Sequence, residues 1–312
     1  MARISMLRFL LLCLTLTIIS CMHLFFNCKE TKDEVRNVPL HSQESEAMNK
    51  DVFIPNIPIH KNDTHELADD TNNPHKLAVI IPFRERFDEL MEFAPWIHIF
   101  LTNQGVRHKI VVVNQVDIHR FNRASLINIG FIKSRGECDY MVMHDVDLLP
   151  NNPDLKYTFP EKGVHHLASP DIHPIYHYAK YVGGVLMLKM SDFALCKGMS
   201  NIFWGWGRED DEFFMRMKEN NLQLLRPTGI TTGYNTFKHI HDKVKRPRDY
   251  KRYGSQKQVQ FKRDTQTGVD TVQYKLASQK DITIDGAPVT VYNVELLCDI
   301  TKTPWCDHDK PK

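Results

Sequence analysis

Tyr140-Met141-Val142-Met143-His144-Asp145-Val146-Asp147 reads as a short apolar strand ending in two carboxylates one residue apart. Charge at the end of a core strand has to be solvated, paired or bound to a metal, because a bare buried carboxylate is strongly disfavoured. Asp-x-Asp in this position can hold a divalent ion against a diphosphate. The competing reading is a solvated turn before Leu148-Leu149-Pro150, and the flanking sequence has to decide between them.

Leu77-Ala78-Val79-Ile80-Ile81, stopped by Pro82, and Lys109-Ile110-Val111-Val112-Val113 are continuous apolar runs, as expected of strands buried on both faces. Between them Asp88 to Phe100 has helical apolar spacing interrupted by Pro95, and Asn122 to Lys133 repeats that spacing before the Tyr140 strand. Strand, helix, strand, helix, strand predicts an α/β fold with an open, Rossmann-like, mostly parallel sheet and helices on both faces. Ligands bind such sheets beyond the carboxyl ends of the strands. Pro82-Phe83-Arg84-Glu85-Arg86 and Asp145-Val146-Asp147 both fall on that edge, which favours the binding reading. Further on, Tyr181 to Leu188 reads as a strand with a close backbone approach at Gly183-Gly184, Glu209 to Asn221 as a short helix, and Leu222 to Leu225 and Thr283 to Leu297 as further strand regions.

With 312 residues, 25% of them charged, and a net charge of +2, no global field points to nucleic acid as a partner. The N-terminus differs from the rest. Arg3 and Arg8 precede an uncharged apolar run from Phe9 to Phe26, long enough to span a membrane, with no small-x-small cleavage site after it. The charge pattern gives a cytosolic tail at 1–8, a transmembrane signal-anchor at 9–26 and a luminal or extracellular body, with a cleaved signal peptide as the alternative. Residues 27–75 are polar and aperiodic, as in a stem, and hold the sequon Asn62-Asp63-Thr64. Of seven cysteines, Cys298 and Cys306 bracket a short loop suited to a disulfide in an oxidising lumen. Cys138 and Cys196 can be free or paired; spacing does not decide.

Two further clusters carry chemistry. In extended His239-Ile240-His241 both imidazoles point to one face and can reach one ion, with Asp147 as carboxylate ligand. One carboxylate and two imidazoles leave open positions on a six-coordinate metal, and such mixed ligation suits Mn²⁺. Trp206-Gly207-Arg208-Glu209-Asp210-Asp211-Glu212 places acids at a helix start, partly explained by the helix dipole. Beside an aromatic platform on a glycine-flanked loop, Asp210 is also a candidate general base. The basic run Asp242 to Arg252 is either a solvated face or a lid over a phosphate site, with Arg248 and Arg252 in reach.

Phe121-Asn122-Arg123-Ala124, Asp145-Val146-Asp147, Tyr181-Val182-Gly183-Gly184 and Trp204-Gly205-Trp206-Gly207-Arg208-Glu209-Asp210-Asp211 occur in the order of the signature blocks of the β-1,4-galactosyltransferases, and the chain resembles that family from about Lys76 to Cys306. His239-Ile240-His241 is similar to the His-x-His segment of the xylose-specific branch, where lactose-type members carry Met-x-x-His. The resemblance implies a GT-A catalytic domain over 76–312, UDP-galactose as donor, Mn²⁺ as cofactor and a xylosylated proteoglycan core protein as acceptor, in the Golgi lumen. It also implies roles: Asp147, His239 and His241 as metal ligands; Asp210 as base; Pro82, Phe83, Arg84, Glu85, Arg86, Phe121, Asn122, Arg123, Asp145, Val146, Trp206 and Arg248 around the donor. Tyr176, Tyr178, Tyr181, Trp206, Arg208, Glu209 and Asp211 then face the acceptor.

Other readings are a transferase acting on N-acetylglucosamine or using UDP-N-acetylgalactosamine, a carbohydrate-binding module with a decayed site, and a metal-dependent hydrolase. The intact set Asp147, His239, His241 and Asp210 argues against decay, and a closing tryptophan argues for water exclusion.

Overall fold

The computed structural model describes residues 73–307 except 231. The apolar N-terminal run, the polar stretch with Asn62, and Cys13, Cys21 and Cys28 lie outside the described residues. Among the described residues no helix is long and apolar enough to cross a membrane.

The elements follow in the order β1 (Lys76–Phe83), α1 (Phe87–Asn103), β2 (Arg107–Gln115), α2 (Arg123–Ser134), β3 (Tyr140–His144), β4 (Leu148–Pro150), β5 (Val164–His166) and β6 (Val185–Lys189). Then come α3 (Met190–Leu195), α4 (Glu209–Glu219), β7 (Leu224–Leu225), β8 (Phe237–His239), α5 (Gln256–Gln260), β9 (Tyr274–Ile284) and β10 (Ala287–Leu296). Eight strands form one sheet in the order β7-β5-β6-β3-β1-β2-β10-β9, and β4 pairs with β8 separately.

Strand alternation splits the core into two layers. Leu77, Val79, Ile81 and Phe83 pack on one face of the sheet with Phe93 and Ile97 of α1. Ala78 and Ile80 pack on the other with Leu126 and Ile127 of α2, Phe213 and Met217 of α4, and Trp305. Both faces are covered, which is why the runs are continuous rather than alternating. Asn122 starts α2 by accepting from the Ser125 N–H at 2.9 Å, an N-cap bond.

The sheet is mixed: β1, β2, β3 and β10 are parallel neighbours and β5 pairs parallel with β7, whereas β6 against β3, β5 against β6 and β9 against β10 run antiparallel. An apolar run buried on both faces looks alike in either direction. Pro95 does not interrupt α1, which continues to Asn103. The carbonyl that loses its partner belongs to Met91, which is 52% exposed, so solvent can satisfy it. The strand expected at Thr283–Leu297 is β10 with the end of β9, joined by a turn in which Asp285 (φ 45°) and Gly286 (φ 87°) take left-handed conformations. Cys298 and Cys306 form a disulfide, and among the described residues Cys138 and Cys196 are buried free thiols.

Candidate active site

One cavity of about 630 Å³ opens beyond the carboxyl ends of β1 and β3. At one end lie Asp147, His239 and His241. The chain leaves β3 through a turn in which the Leu148 N–H donates to the Asp145 carbonyl at 3.3 Å, and β4 pairs antiparallel with β8, Leu148 opposite His239. The Ile240 N–H donates to the Asp147 carbonyl at 2.9 Å, so backbone pairing sets the three side chains side by side. Asp147 Oδ2 lies 3.2 Å from His241 Nδ1 and 3.9 Å from His239 Nε2, and the two imidazoles stack with centroids 5.7 Å apart.

Ligand atoms at right angles around one ion, each about 2.2 Å from it, are about 3.1 Å apart. The Asp147–His241 pair meets that spacing, and His239 has to approach slightly. Among the described residues no three His, Cys, Asp or Glu side chains already close into a finished ion cage. Chemistry supports a cation here: burial pushes the Asp147 carboxyl up, but His241, His239 and Arg86 outweigh it and hold it below the usual range. Burial pushes the His239 imidazole down, which keeps its lone pair free, and Asp147 opposes this only in part. His241 Nε2 is buried without a partner among the described residues. The donor set fits a divalent ion of Mn²⁺ type.

Asp210 stands at the other end, in the first turn of α4. The chain enters this helix through Gly205, Gly207 and Arg208, all in the left-handed region (φ 81°, 99° and 80°). Arg123 bridges two carboxylates, donating from Nη1 to Asp210 Oδ1 at 2.9 Å and from Nε to Asp145 Oδ1 at 2.9 Å. Burial raises the proton affinity of Asp210; Arg123 opposes this, Asp145 and Asp211 add to it, and the net shift is upward. Glu209 is 8% exposed, its Oε2 has no partner among the described residues, and burial together with Asp210 pushes it up to about 8. Gly183 is obligatory here: a Cβ would lie 2.5 Å from Asp210 Oδ2 and 2.7 Å from the Tyr181 ring. This is the close approach expected from the Gly pair.

Between the two ends the wall is aromatic and basic. Trp206 is 39% exposed, packs edge-on to Tyr250 at 4.8 Å, and lies under the Arg248 guanidinium at 5.1 Å. Tyr178 donates to Asp211 at 3.4 Å, and Tyr176 and Tyr181 pack together with centroids 5.1 Å apart. Arg84 is fixed by the carbonyls of His119 and Asp117, and its guanidinium lies 5.9 Å from the Phe121 ring. Pro82, Glu85, Arg86, Val146 and Arg208 also line the cavity.

Two expected donor contacts lie elsewhere. Phe83 is 1% exposed and belongs to the core beside α1, because its side chain falls on the inner face of β1. Asn122 is fully buried and occupied as the N-cap of α2, with its amide donating to the Asn201 carbonyl.

Sequence reasoning missed two residues, His173 and Arg120. His173 lines the cavity, accepts from the Ile175 and Tyr176 N–H groups at Nδ1, and is pushed down to about 3 by burial. Arg120 is fully buried and ties down the 249–251 segment, donating to Asp249 Oδ2 at 2.6 Å and to the Lys251 carbonyl. Arg246 binds Glu89 at 2.9 and 3.2 Å, and Arg252 donates to the Trp206 carbonyl at 2.7 Å. The basic run is therefore a strap held against the cavity at Arg246, Arg248, Asp249 and Arg252, while Asp242 to Lys245, Tyr250 and Lys251 stay exposed. A Trp-Gly-Trp loop next to such a run was the available signal for it.

Two family models match the chain: the N-terminal region of glycosyl transferase group 7 over residues 28–160, and the N-terminal domain of galactosyltransferase over residues 164–240. The chain is 57% identical over 242 residues to β-1,4-galactosyltransferase 7 of Mus musculus, covering 78% of this chain and 74% of that one. It is 50% identical over 238 residues to a xylosylprotein 4-β-galactosyltransferase of Caenorhabditis elegans, covering 74% and 82%. A crystal structure of a Drosophila β-1,4-galactosyltransferase 7 mutant, complexed with manganese, UDP-Gal and xylobiose, superposes with a TM-score of 0.74 at 50% identity, covering 75% of this chain and all of that one. The fold is accordingly GT-A-like, a mixed sheet flanked by helices. Ordered signature blocks, sheet topology and these matches agree: the chain belongs to the β-1,4-galactosyltransferase family.

Proposed function

We propose that this protein transfers galactose from UDP-galactose to the 4-hydroxyl of β-xylose on a proteoglycan core protein, with inversion and with Mn²⁺ as cofactor. The observation that carries the reading is that one cavity holds a divalent-ion ligand set, Asp147 with His239 and His241, together with a buried-side carboxylate, Asp210. The His-x-His segment and the xylobiose and UDP-Gal bound by the Drosophila relative support xylose as acceptor and UDP-galactose as donor.

A β-linked product from an α-linked donor requires a single in-line displacement. Asp210 accepts the proton of the xylose 4-hydroxyl as that oxygen attacks the anomeric carbon, and the bond to the diphosphate breaks with its electron pair leaving on UDP. The raised proton affinity of Asp210 suits a base, and the Arg123 hydrogen bond fixes its orientation. Arg84, Arg86 and Arg248 supply positive charge along the cavity toward the departing diphosphate. A divalent ion held by Asp147, His239 and His241 adds electrostatic stabilisation of that leaving group. Trp206, above the cavity, excludes water that would otherwise hydrolyse the donor.

The test is transfer from several labelled UDP-sugars to β-xylosides and β-N-acetylglucosaminides, with and without Mn²⁺. Metal-dependent transfer of galactose to xylosides is expected. Transfer only to N-acetylglucosamine would overturn the acceptor. We also infer residues 1–8 as cytosolic tail, 9–26 as signal-anchor, 27–75 as stem and 76–312 as a luminal catalytic domain of a Golgi type II membrane protein. The apolar run and the Cys298–Cys306 disulfide, which suits an oxidising lumen, support this. Release of the protein from membranes by alkaline carbonate would contradict the anchor.

A further inference from the structure

Arg86 occupies the ligand set. Its Nη1 donates to Asp147 Oδ2 at 3.3 Å and, with the His241 ring proton on Nε2, to His241 Nδ1 at 3.1 Å, and lies 3.7 Å from Glu89 Oε1. A carboxylate oxygen has lone pairs to spare, but an imidazole nitrogen has one. His241 Nδ1 cannot accept from Arg86 and ligate an ion at the same time. We propose that Arg86 is a resident cation that plugs the Asp147–His241 ligand pair and has to withdraw before a divalent ion can bind.

Three features of the structure support a plug that leaves readily. First, an Nδ1 that accepts from Arg86 puts the ring proton of neutral His241 on Nε2, and Nε2 is buried without a partner among the described residues. The plugged arrangement therefore leaves a buried donor unsatisfied. Second, Arg86 is tethered loosely: its side chain is 26% exposed, against 1% for His241, so it can swing without disturbing the core. Third, two anionic destinations are within reach. Glu89 is already close, held on its other side by Arg246, and the cavity that Arg86 lines is where a nucleoside diphosphate would sit, an anion that arginine grips with two parallel hydrogen bonds.

This inference rests on the proposed metal site and adds an order of events to it. Metal alone has to compete with the guanidinium. A nucleotide that draws Arg86 onto its phosphates frees His241 Nδ1, so diphosphate and metal bind with positive coupling although each is also held by other groups. Arg86 thus acts twice, as a counter-charge to Asp147 and as a ligand for the phosphates of a bound nucleotide.

Isothermal titration of Mn²⁺ into the full chain, with and without UDP, tests this on the wild type and on Arg86→Met. Without nucleotide the variant is expected to bind Mn²⁺ about tenfold or more tightly than wild type, the size of a lost charged hydrogen-bond competitor. The increase in Mn²⁺ affinity that UDP causes in wild type should shrink in the variant. Arg86→Gln, which keeps polarity without charge, should shift in the same direction and serves if the Met variant does not fold. Equal or weaker nucleotide-free binding by a folded variant overturns the plug while leaving the metal site standing. Absence of Mn²⁺ binding in every protein, with and without UDP, overturns the metal site and the plug with it.

Discussion

Asp210 combines two properties that a general base needs: a proton affinity raised by its surroundings and a neighbour, Arg123, that fixes its direction at 2.9 Å. Asp210→Asn keeps shape and hydrogen bonding but cannot accept the proton. It is expected to lower kcat by about two decades or more while UDP binding by titration calorimetry persists. Turnover near the wild-type level would remove Asp210 from this role. Glu209 gives a different prediction. Its pKa is raised in the fold to about 8, so the native state binds a proton that the unfolded chain releases near its ordinary value of 4.5. Stability then falls as pH rises from that ordinary range through about 8. In Glu209→Gln this dependence is absent, so melting scans at pH 5 and pH 8.5 should bring the variant closer to wild type, or above it, at the higher pH. At this scale the sequence was most readable where chemistry is local. Asp145 and Asp147 follow an apolar run, and His239 and His241 are two apart. Arg120 was not readable, because its meaning lies in Asp249, 129 positions away.

Among the elements, the joints carry the site. The Gly183-Gly184 bend lets β6 pass Asp210, and Gly183→Ala would drive a methyl to 2.5 Å from the carboxylate. Displacing the base is expected to lower kcat by about ten- to hundredfold with Mn²⁺ binding unchanged, as steady-state kinetics and calorimetry can check. The strap at 242–252 depends on Arg120, whose guanidinium also approaches Gly205 too closely for any side chain there. Arg120→Met leaves the Asp249 carboxylate without its ion-pair partner and the Lys251 carbonyl with Arg252 as its remaining donor. It should cost about 3–5 kcal/mol in denaturant unfolding and expose the strap to protease. The positions of strands and helices were legible because apolar runs and helical spacing are local signals. Strand direction was not, since β6 lies antiparallel to β3 with the same apolar content a parallel strand would have. Nor was the continuity of α1 through Pro95, which depends on which carbonyl faces solvent.

For the molecule as a whole, the C-terminal disulfide and the buried Trp305 close one side of the sheet against α2 and α4. The bond joins cysteines eight positions apart, a small loop, so removing it with Cys298→Ser and Cys306→Ser is expected to cost about 2–3 kcal/mol. A chemical-denaturation series with the double variant measures this. The larger dependence is on tertiary assembly: β4 and β8 come from distant segments, Leu148 opposite His239, and their pairing makes Asp147 a neighbour of His239 and His241. The most direct measurement is anomalous diffraction at the manganese edge from crystals of the protein grown with Mn²⁺ and UDP. A single strong peak within bonding distance of Asp147, His239 and His241, touching the diphosphate, is the predicted result. A peak held by the nucleotide alone, or by other side chains, would contradict the account.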